Sequence, residues 1–315
     1  MRRIMEYRRL GNSGLKVSAV GLGCNNFGMR CDAAQTEAVV HKALDLGITL
    51  FDTADIYGGR GTSETLLGKA LGEKRGSIVL ATKFGGPMGK SPLERGSSRR
   101  YVASALEASL KRLGTDYIDL YQMHFPDPET PIEETLEALD AAVRQGKVRY
   151  IGCSNLGGWQ LIDSLWTSKT RGLAHFVSAQ NHYNMLERTI RHELIPACTK
   201  AEVGILPYFP LASGLLTGKY KRGQKPGNDT RLGLWGERAT RMLNDEAFDK
   251  VERFEAFARE RDKPLLDLAF GWLLSQPVIA SVIAGATSPA QVESNVKAAD
   301  YRLTPADLQA LAPLL

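Results

Sequence analysis

The sequence predicts an α/β fold, a (β/α)8 TIM barrel, and three observations predict it. Eight short apolar, β-rich runs recur along the 315-residue chain. Amphipathic segments with helical start and stop signals follow them almost from end to end. The first run leads into Gly21-Leu22-Gly23-Cys24-Asn25-Asn26. That breaks the G-x-G-x-x-G turn a doubly wound sheet, the alternative architecture, would want there. A barrel of this kind typically needs about 250 residues, which leaves room for additions.

The first addition is a hairpin: "YRRLGNSGLKVS" (7–18) reads as two short arms around Asn12-Ser13-Gly14. The barrel strands follow as "AVGLG" (19–23), "ITLFD" (48–52), "SIVLATK" (77–83) and "YIDLYQMH" (117–124). The second half adds "VRYIGCS" (148–154), "FVSAQ" (176–180), "GILPY" (204–208) and "IASVIAG" (279–285). Each is apolar enough to be covered on both faces, as parallel strands are. Between them, Asp32 and Ser98 are expected to cap helices that close at Gly47 and Gly114. Thr130 is expected as N-cap of the next, with Pro131 at N1, Glu133 completing a capping box and Gly146 at the end. Later helices are expected over 158–167, 191–202, 246–276 with a break at Pro264, and 289–299, with a last one from Thr304-Pro305. Residues 209–245 form a long Gly/Lys/Arg-rich connection after the seventh strand, and loops of that length usually have a function. Nothing marks a domain boundary, so one domain over 1–315 is expected.

Composition narrows the class. Hydrophobic content of 43% and charged content of 24% are ordinary for a globular protein. The net charge of +5 is spread, with local excesses at Arg95, Arg99 and Arg100 and at Lys219, Lys221, Arg222 and Lys225. Neither group carries a nucleic-acid-binding signature, and a small phosphate-bearing ligand explains a local positive field better. Cys24, Cys31, Cys153 and Cys198 make no C-x-x-C pair. No apolar run approaches the roughly 18 residues of a membrane span, and "MRRIMEYRRL" lacks a signal-peptide core. The expectation is a cytoplasmic protein with free thiols and no membrane or nucleic-acid partner. His175, His182 and His192 have no metal-ligand spacing, so they are read as structural and no metal is expected.

In such barrels the active site lies at the C-terminal ends of the strands. Strand two ends at Asp52 and leads to Tyr57, strand three ends at Lys83, and strand four ends at His124. Singly, each has a structural reading: a turn cap, a surface aromatic, a snorkelling lysine, a core histidine. Together they place ionisable groups on three adjacent strand ends, and the chemistry they can share is proton transfer to a carbonyl oxygen. A free tyrosine, with a pKa of about 10, is a poor acid near neutrality. An ammonium about 4 Å away would favour phenolate by roughly 4 kcal/mol at an effective dielectric near 20. That lowers the pKa by up to about 3 units, before desolvation opposes it. Asp52 would hold the lysine charged, His124 would orient the carbonyl, and Asp55 would support the turn between Asp52 and Tyr57.

With these residues in view, the chain resembles the aldo-keto reductase superfamily over nearly its whole length. The matching stretches are "RRLGNSGLKVSAVGLG", "LFDTADIYG", "VLATK", "YIDLYQMHFPDP" through "GKVRYIGCSN", "AQNHYN", "PYFPLASGLLTGKY" and "GATSPAQVESN". The pattern is most similar to the branch that includes bacterial reductases, sugar dehydrogenases and potassium-channel β subunits. The resemblance implies hydride transfer between a nicotinamide cofactor and an aldehyde or ketone. It also puts the family's Asp-Tyr-Lys-His tetrad on Asp52, Tyr57, Lys83 and His124.

It further implies a cofactor site to which Asp52 belongs. Ser154, Asn155 and Gln180 match carboxamide-binding positions, and Tyr208 matches the aromatic that stacks on the nicotinamide. Leu211, Gly214, Leu216, Gly218 and Lys219 match a loop over the pyrophosphate. Gly285, Thr287, Ser288, Gln291 and Asn295 match the adenosine end, where Ser288 and Gln291 also read as a capping box. NADPH-selective relatives often carry lysine and arginine where Gly285 and Gln291 stand. Arg231 in the long loop is expected to substitute, so NADP(H) is favoured, with NAD(H) as the alternative. Asn25, Phe27, Met29, Phe84, Phe125 and Trp235 are expected to wall the substrate pocket.

The resulting expectation is an NADP(H)-dependent reductase of aldehydes and ketones with Tyr57 as general acid, acting on a small carbonyl or alcohol and compatible with a homo-oligomer. The alternative is a cofactor-sensing protein like the channel β subunits, with slow catalysis, against which the retained His124 counts. A barrel lyase or isomerase would need a phosphate or metal motif at the strand ends, and none is found there.

Overall fold

Short strands that are buried on both faces need a partner at each edge, and this chain meets that need by closing a ring. The computed structural model describes residues 5–228, 230–235, 239 and 242–315, apart from the side chain of Trp235. Strands β3 (Val20–Gly23), β4 (Leu50–Asp52), β5 (Val79–Phe84), β6 (Ile118–Met123), β7 (Val148–Ser154), β8 (Phe176–Gln180), β9 (Gly204–Ile205) and β10 (Val282–Gly285) form one parallel sheet in the order β10-β3-β4-β5-β6-β7-β8-β9. The ring closes where Ile205 bridges Ile279. There the Ala280 amide donates to the Ile205 carbonyl at 3.0 Å and the Ile283 amide to the Pro207 carbonyl at 3.2 Å. The fold is the expected barrel.

β1 (Tyr7–Arg9) and β2 (Lys16–Ser18) make the expected hairpin. Its Leu10 and Val17 join Leu50, Val79, Ala81, Leu120, Val177, Leu206, Ala280 and Ile283 in the core inside the ring. Full burial of a leucine side chain contributes about 1.5–3 kcal/mol, so the hairpin is bound as a plug. Gly11 permits the close seat: its φ is +57°, and a Cβ there would lie 2.4 Å from the Val177 carbonyl oxygen.

A larger core fills the space between the sheet and the helices outside it. Among the described residues the helices are α1 (Ala33–Asp45), α2 (Tyr57–Arg60), α3 (Thr62–Leu71), α4 (Arg99–Leu113), α5 (Ile132–Arg144), α6 (Gly158–Arg171), α7 (Leu194–Ala201), α8 (Asp245–Arg259), α9 (Leu265–Leu274), α10 (Pro289–Ala298) and α11 (Pro305–Leu311). Asp32 closes a full capping box with Gln35, and Ser98 caps α4 at the Tyr101 amide. The expected break at Pro264 separates α8 from α9.

Three local expectations fail for identifiable reasons. Thr130 does not cap α5, which starts at Ile132 with no side-chain cap. Its hydroxyl instead donates to Asp127 Oδ2 at 2.8 Å, a charged and stronger acceptor. The seventh barrel strand stops at Ile205, because Pro207 has no N–H to extend the ladder. At α10, Ser288 accepts from the Gln291 amide, but Gln291 Oε1 turns to the Thr287 amide at 2.8 Å, so the capping box stays open.

Candidate active site

The four tetrad residues arrive at one end of the ring by strand geometry. Asp52 is the last residue of β4, Lys83 lies near the end of β5, and His124 follows β6. Tyr57 opens α2, the short turn after β4. Its neighbour Gly58 has φ +69°, and a Cβ there would lie 2.5 Å from the Phe27 carbonyl oxygen. Only glycine lets this turn press against the β3–α1 loop, and so set Tyr57 over the ring.

Lys83 is 0% exposed and Asp52 2%. Lys83 Nζ donates to Asp52 Oδ2 at 2.6 Å and to the Thr53 carbonyl at 2.8 Å. The second carboxylate oxygen accepts from Gln122 Nε2 at 3.0 Å and Gln180 Nε2 at 2.9 Å. Burial alone would pull the Lys83 pKa down, but Asp52 and then Tyr57 outweigh it and hold the ammonium above its ordinary value. The Lys83 nitrogen sits 5.0 Å from the centroid of the Tyr57 ring.

Tyr57 departs from the expected direction. Burial of its hydroxyl raises the pKa, Lys83 opposes this and Asp52 adds to it, and the net is upward. The physical reason is that Asp52 already spends much of the Lys83 charge, so desolvation dominates. The phenol is therefore protonated. Burial, and then Lys83, lower His124 to about 2, so its imidazole is neutral. It stands 5.7 Å from Tyr57, edge to face, and stacks on Phe125 at 4.2 Å.

Asp52, Tyr57 and His124 face a cavity of about 630 Å³, within the range of small-molecule sites, while Lys83 is fully buried and not on its wall. On its wall are Asp52, Tyr57, His124, Ser154, Asn155, Gln180, Tyr208, Leu211, Gly214, Lys219, Arg231, Gly285, Gln291 and Asn295, all residues singled out in the sequence. Tyr208 donates to Asn155 Oδ1 at 2.8 Å, and Asn155 Nδ2 donates to the His124 carbonyl at 2.9 Å. Among the described residues, His124 Nδ1 and Ser213 Oγ are buried without a hydrogen-bond partner, and both residues lie on this wall.

Other expected residues are not on the wall. Leu216 is buried in the core, Gly218 ends a 3-10 turn with φ +75°, Thr287 bonds Gln291, and Ser288 is occupied as a helix cap. Of the proposed substrate wall, Asn25 and Phe125 line the cavity. Phe27 and Phe84 are instead fully buried, and Phe84 packs on Tyr121 at 4.9 Å. Met29 is 74% exposed and off the wall. The Trp235 side chain lies outside the described residues.

Sequence reasoning missed Gln122, Arg30 and Asn26. Gln122 shares the inner face of β6 with Leu120, two residues before His124, and a polar side chain at that register was a usable signal. Arg30 lines the cavity, and Asn26 Oδ1 accepts from Arg231 at 3.0 Å; no motif marks either. Asp55 is buried among Tyr101, Glu64 and Arg112, and burial followed by Glu64 raises its pKa to about 7. Among the described residues no cluster of His, Cys, Asp and Glu could hold a metal, and no helix is long and apolar enough to cross a membrane.

A plugged parallel barrel with a buried lysine–aspartate pair, a protonated tyrosine and a neutral histidine at its open end defines a class of barrel-borne oxidoreductases. The model of the aldo/keto reductase family matches residues 19–315, and the chain belongs to that family. It is 38% identical over 310 residues to an uncharacterized oxidoreductase of Bacillus subtilis, covering 95% of this chain and 92% of the relative. It is 37% identical over 305 residues to a probable voltage-gated potassium channel subunit beta of Arabidopsis thaliana, covering 94% and 92%. It is 35% identical over 308 residues to the L-glyceraldehyde 3-phosphate reductase of Escherichia coli K12, covering 93% and 87%.

Proposed function

We propose that the protein is an NADP(H)-dependent reductase of aldehydes and ketones in which Tyr57 protonates the substrate oxygen. One observation carries the reading: a protonated Tyr57 stands over the buried Lys83–Asp52 pair, beside a neutral His124, on the wall of a cavity. When bound, the reduced nicotinamide supplies the hydride. Tyr57 releases its proton as negative charge builds on the carbonyl oxygen, and Lys83 stabilises the phenolate left behind. His124, uncharged, offers a hydrogen bond that orients the carbonyl without competing for the proton. Asp52 keeps Lys83 charged, and Gln122 and Gln180 hold Asp52 in place.

The wall suits a dinucleotide. Tyr208, Ser154 and Asn155 supply a ring face and amide-binding groups near the tetrad, and Gln291 and Asn295 line the same cavity. Lys219, Arg231 and Arg30 put three cations on one cavity, which favours the more highly charged NADPH over NADH. Asn25 and Phe125 support a substrate subsite beside them. We also read the chain as one domain, cytoplasmic and compatible with a homo-oligomer; the four cysteines are all buried and free.

Tyr57→Phe tests the acid. The variant should lose most turnover and keep cofactor affinity; reduction of 4-nitrobenzaldehyde at the parent rate would overturn the assignment. Quenching of protein fluorescence by NADPH against NADH tests the cofactor, and no quenching by either would end this reading. A second reading, a cofactor sensor with slow catalysis, draws support from the relative named as a probable channel subunit beta. Tight NADPH binding with poor turnover across a carbonyl panel would favour it.

A further inference from the structure

His182 was expected to be a structural histidine, yet its surroundings are specific. Its ring lies parallel to that of Tyr208, centroids 5.4 Å apart and 9° between planes. Phe209 closes the group edge-on, 5.6 Å from His182 and at 85°. Tyr208 and Phe209 line the cavity and His182 does not, so His182 covers Tyr208 from behind. The imidazole is itself held: Asn184 Nδ2 meets His182 Nε2 at 3.2 Å and also bonds the Phe209 carbonyl at 2.9 Å. Backbone strain brackets the group, with Phe209 at φ +51° and Asn155 at φ +62°.

The Tyr208 hydroxyl is pinned by Asn155. That bond fixes one end of the side chain only. The hydroxyl lies on the axis about which the ring turns, so the hydrogen bond leaves the plane of the ring free. A flat partner on one face removes this freedom and leaves the other face directed into the cavity.

We propose that His182 is a positioning residue: it sets the plane of Tyr208, and so the platform on which the nicotinamide ring of the cofactor is received. The proposal rests on the nicotinamide reading above. Burial, opposed by Glu187, keeps the imidazole uncharged, so the stack is one of neutral rings.

The test compares His182→Ala and His182→Phe with the parent, using NADPH and 2′,5′-ADP, which lacks the nicotinamide half. His182→Ala should weaken NADPH by about two- to tenfold, the worth of an aromatic pair, and lower kcat. It should leave 2′,5′-ADP affinity at the parent value. His182→Phe, which restores a flat face without the nitrogens, should recover most of both losses. Equal weakening of the two ligands by His182→Ala would mean general damage to the fold and would overturn the proposal. So would parental NADPH affinity and kcat in His182→Ala, or a His182→Phe variant as weak as His182→Ala. A parent that binds neither ligand would instead sink the nicotinamide reading itself.

Discussion

Replacing Asp52 by Asn should destabilise the protein severely, because it strips a buried ammonium of its only carboxylate partner among the described residues. The Lys83 nitrogen would keep the Thr53 carbonyl and meet the new amide at the Oδ2 position, where the amide can present a donor instead of an acceptor. Removing one partner of a buried ion pair costs about 3–5 kcal/mol. At roughly 2–4 °C per kcal/mol for a large domain, the melting temperature should fall by about 6–20 °C. The sign with pH follows from Lys83, whose folded-state pKa is raised above its usual 10.5. A raised lysine contributes fully below its unfolded pKa and loses that contribution as pH rises through the folded value. The gap between parent and variant should therefore narrow as the pH climbs toward and through about 10.5, since burial without Asp52 pulls the variant's lysine down. The double variant Asp52→Asn/Lys83→Met removes both charges and should be more stable than Asp52→Asn alone. Thermal melts by circular dichroism at several pH values, with urea unfolding at neutral pH, measure all of this. An Asp52→Asn variant within about 1 kcal/mol of the parent, or a double variant no better than the single one, would refute the reasoning.

Three further outcomes are expected. Asp55, raised from 3.8 to about 7, destabilises the fold increasingly as pH climbs between those values. Asp55→Asn should accordingly gain stability relative to the parent above about pH 7, with the difference vanishing toward pH 4; melts that show a constant offset across this range would contradict it. Gly58→Ala should displace Tyr57, since its Cβ meets the Phe27 carbonyl at 2.5 Å; steady-state kinetics should show a large loss of kcat, and unchanged kcat would refute the role given to this turn. Arg222 ties the loop after Lys219 to α8 through Asp245, Asp249 and Glu252. Arg222→Gln should speed NADPH release in stopped-flow fluorescence and make the rate less sensitive to salt; identical salt profiles would remove these ion pairs from cofactor retention.

The strands were legible because parallel barrel strands are continuous apolar runs, and the tetrad because ionisable residues at strand ends contradict such runs. What escaped was the competition between partners. Thr130 has every local feature of a cap, but Asp127 lies three residues back and takes its hydroxyl. Phe27 and Phe84 sit beside site residues in sequence, and an apolar residue there reads equally as pocket wall or as core. The choice depends on whether it points into the cavity or toward the helices, and no local pattern records that. Gln122 was overlooked for the opposite reason: its partner Asp52 is 70 positions away. Arg30 reaches the cavity because the β3–α1 loop turns back on the Asn26 carbonyl, which accepts the amides of Met29, Arg30 and Cys31.

The amides around Asp52 explain how a charged pair can sit under the proposed acid without ionising it. An unscreened Lys83 would pull Tyr57 toward phenolate, and the acid would be spent before a substrate arrived. Asp52 prevents this by holding the ammonium at 2.6 Å, and it is kept in that position by two carboxamides on its far oxygen. Burial of the hydroxyl then outweighs Lys83, and with Asp52 adding to it the phenol lies above its ordinary pKa in the resting site. In the proposed reaction a carbonyl oxygen gaining negative charge would reverse the balance, because it would become the stronger base while Lys83 is already in place to meet the phenolate. The cost of ordering these charges is met when the barrel folds and not during the reaction, the condition under which fixed dipoles and charges lower a barrier most. On this argument the amides of Gln122 and Gln180 are as much part of the proposed acid as Lys83 is.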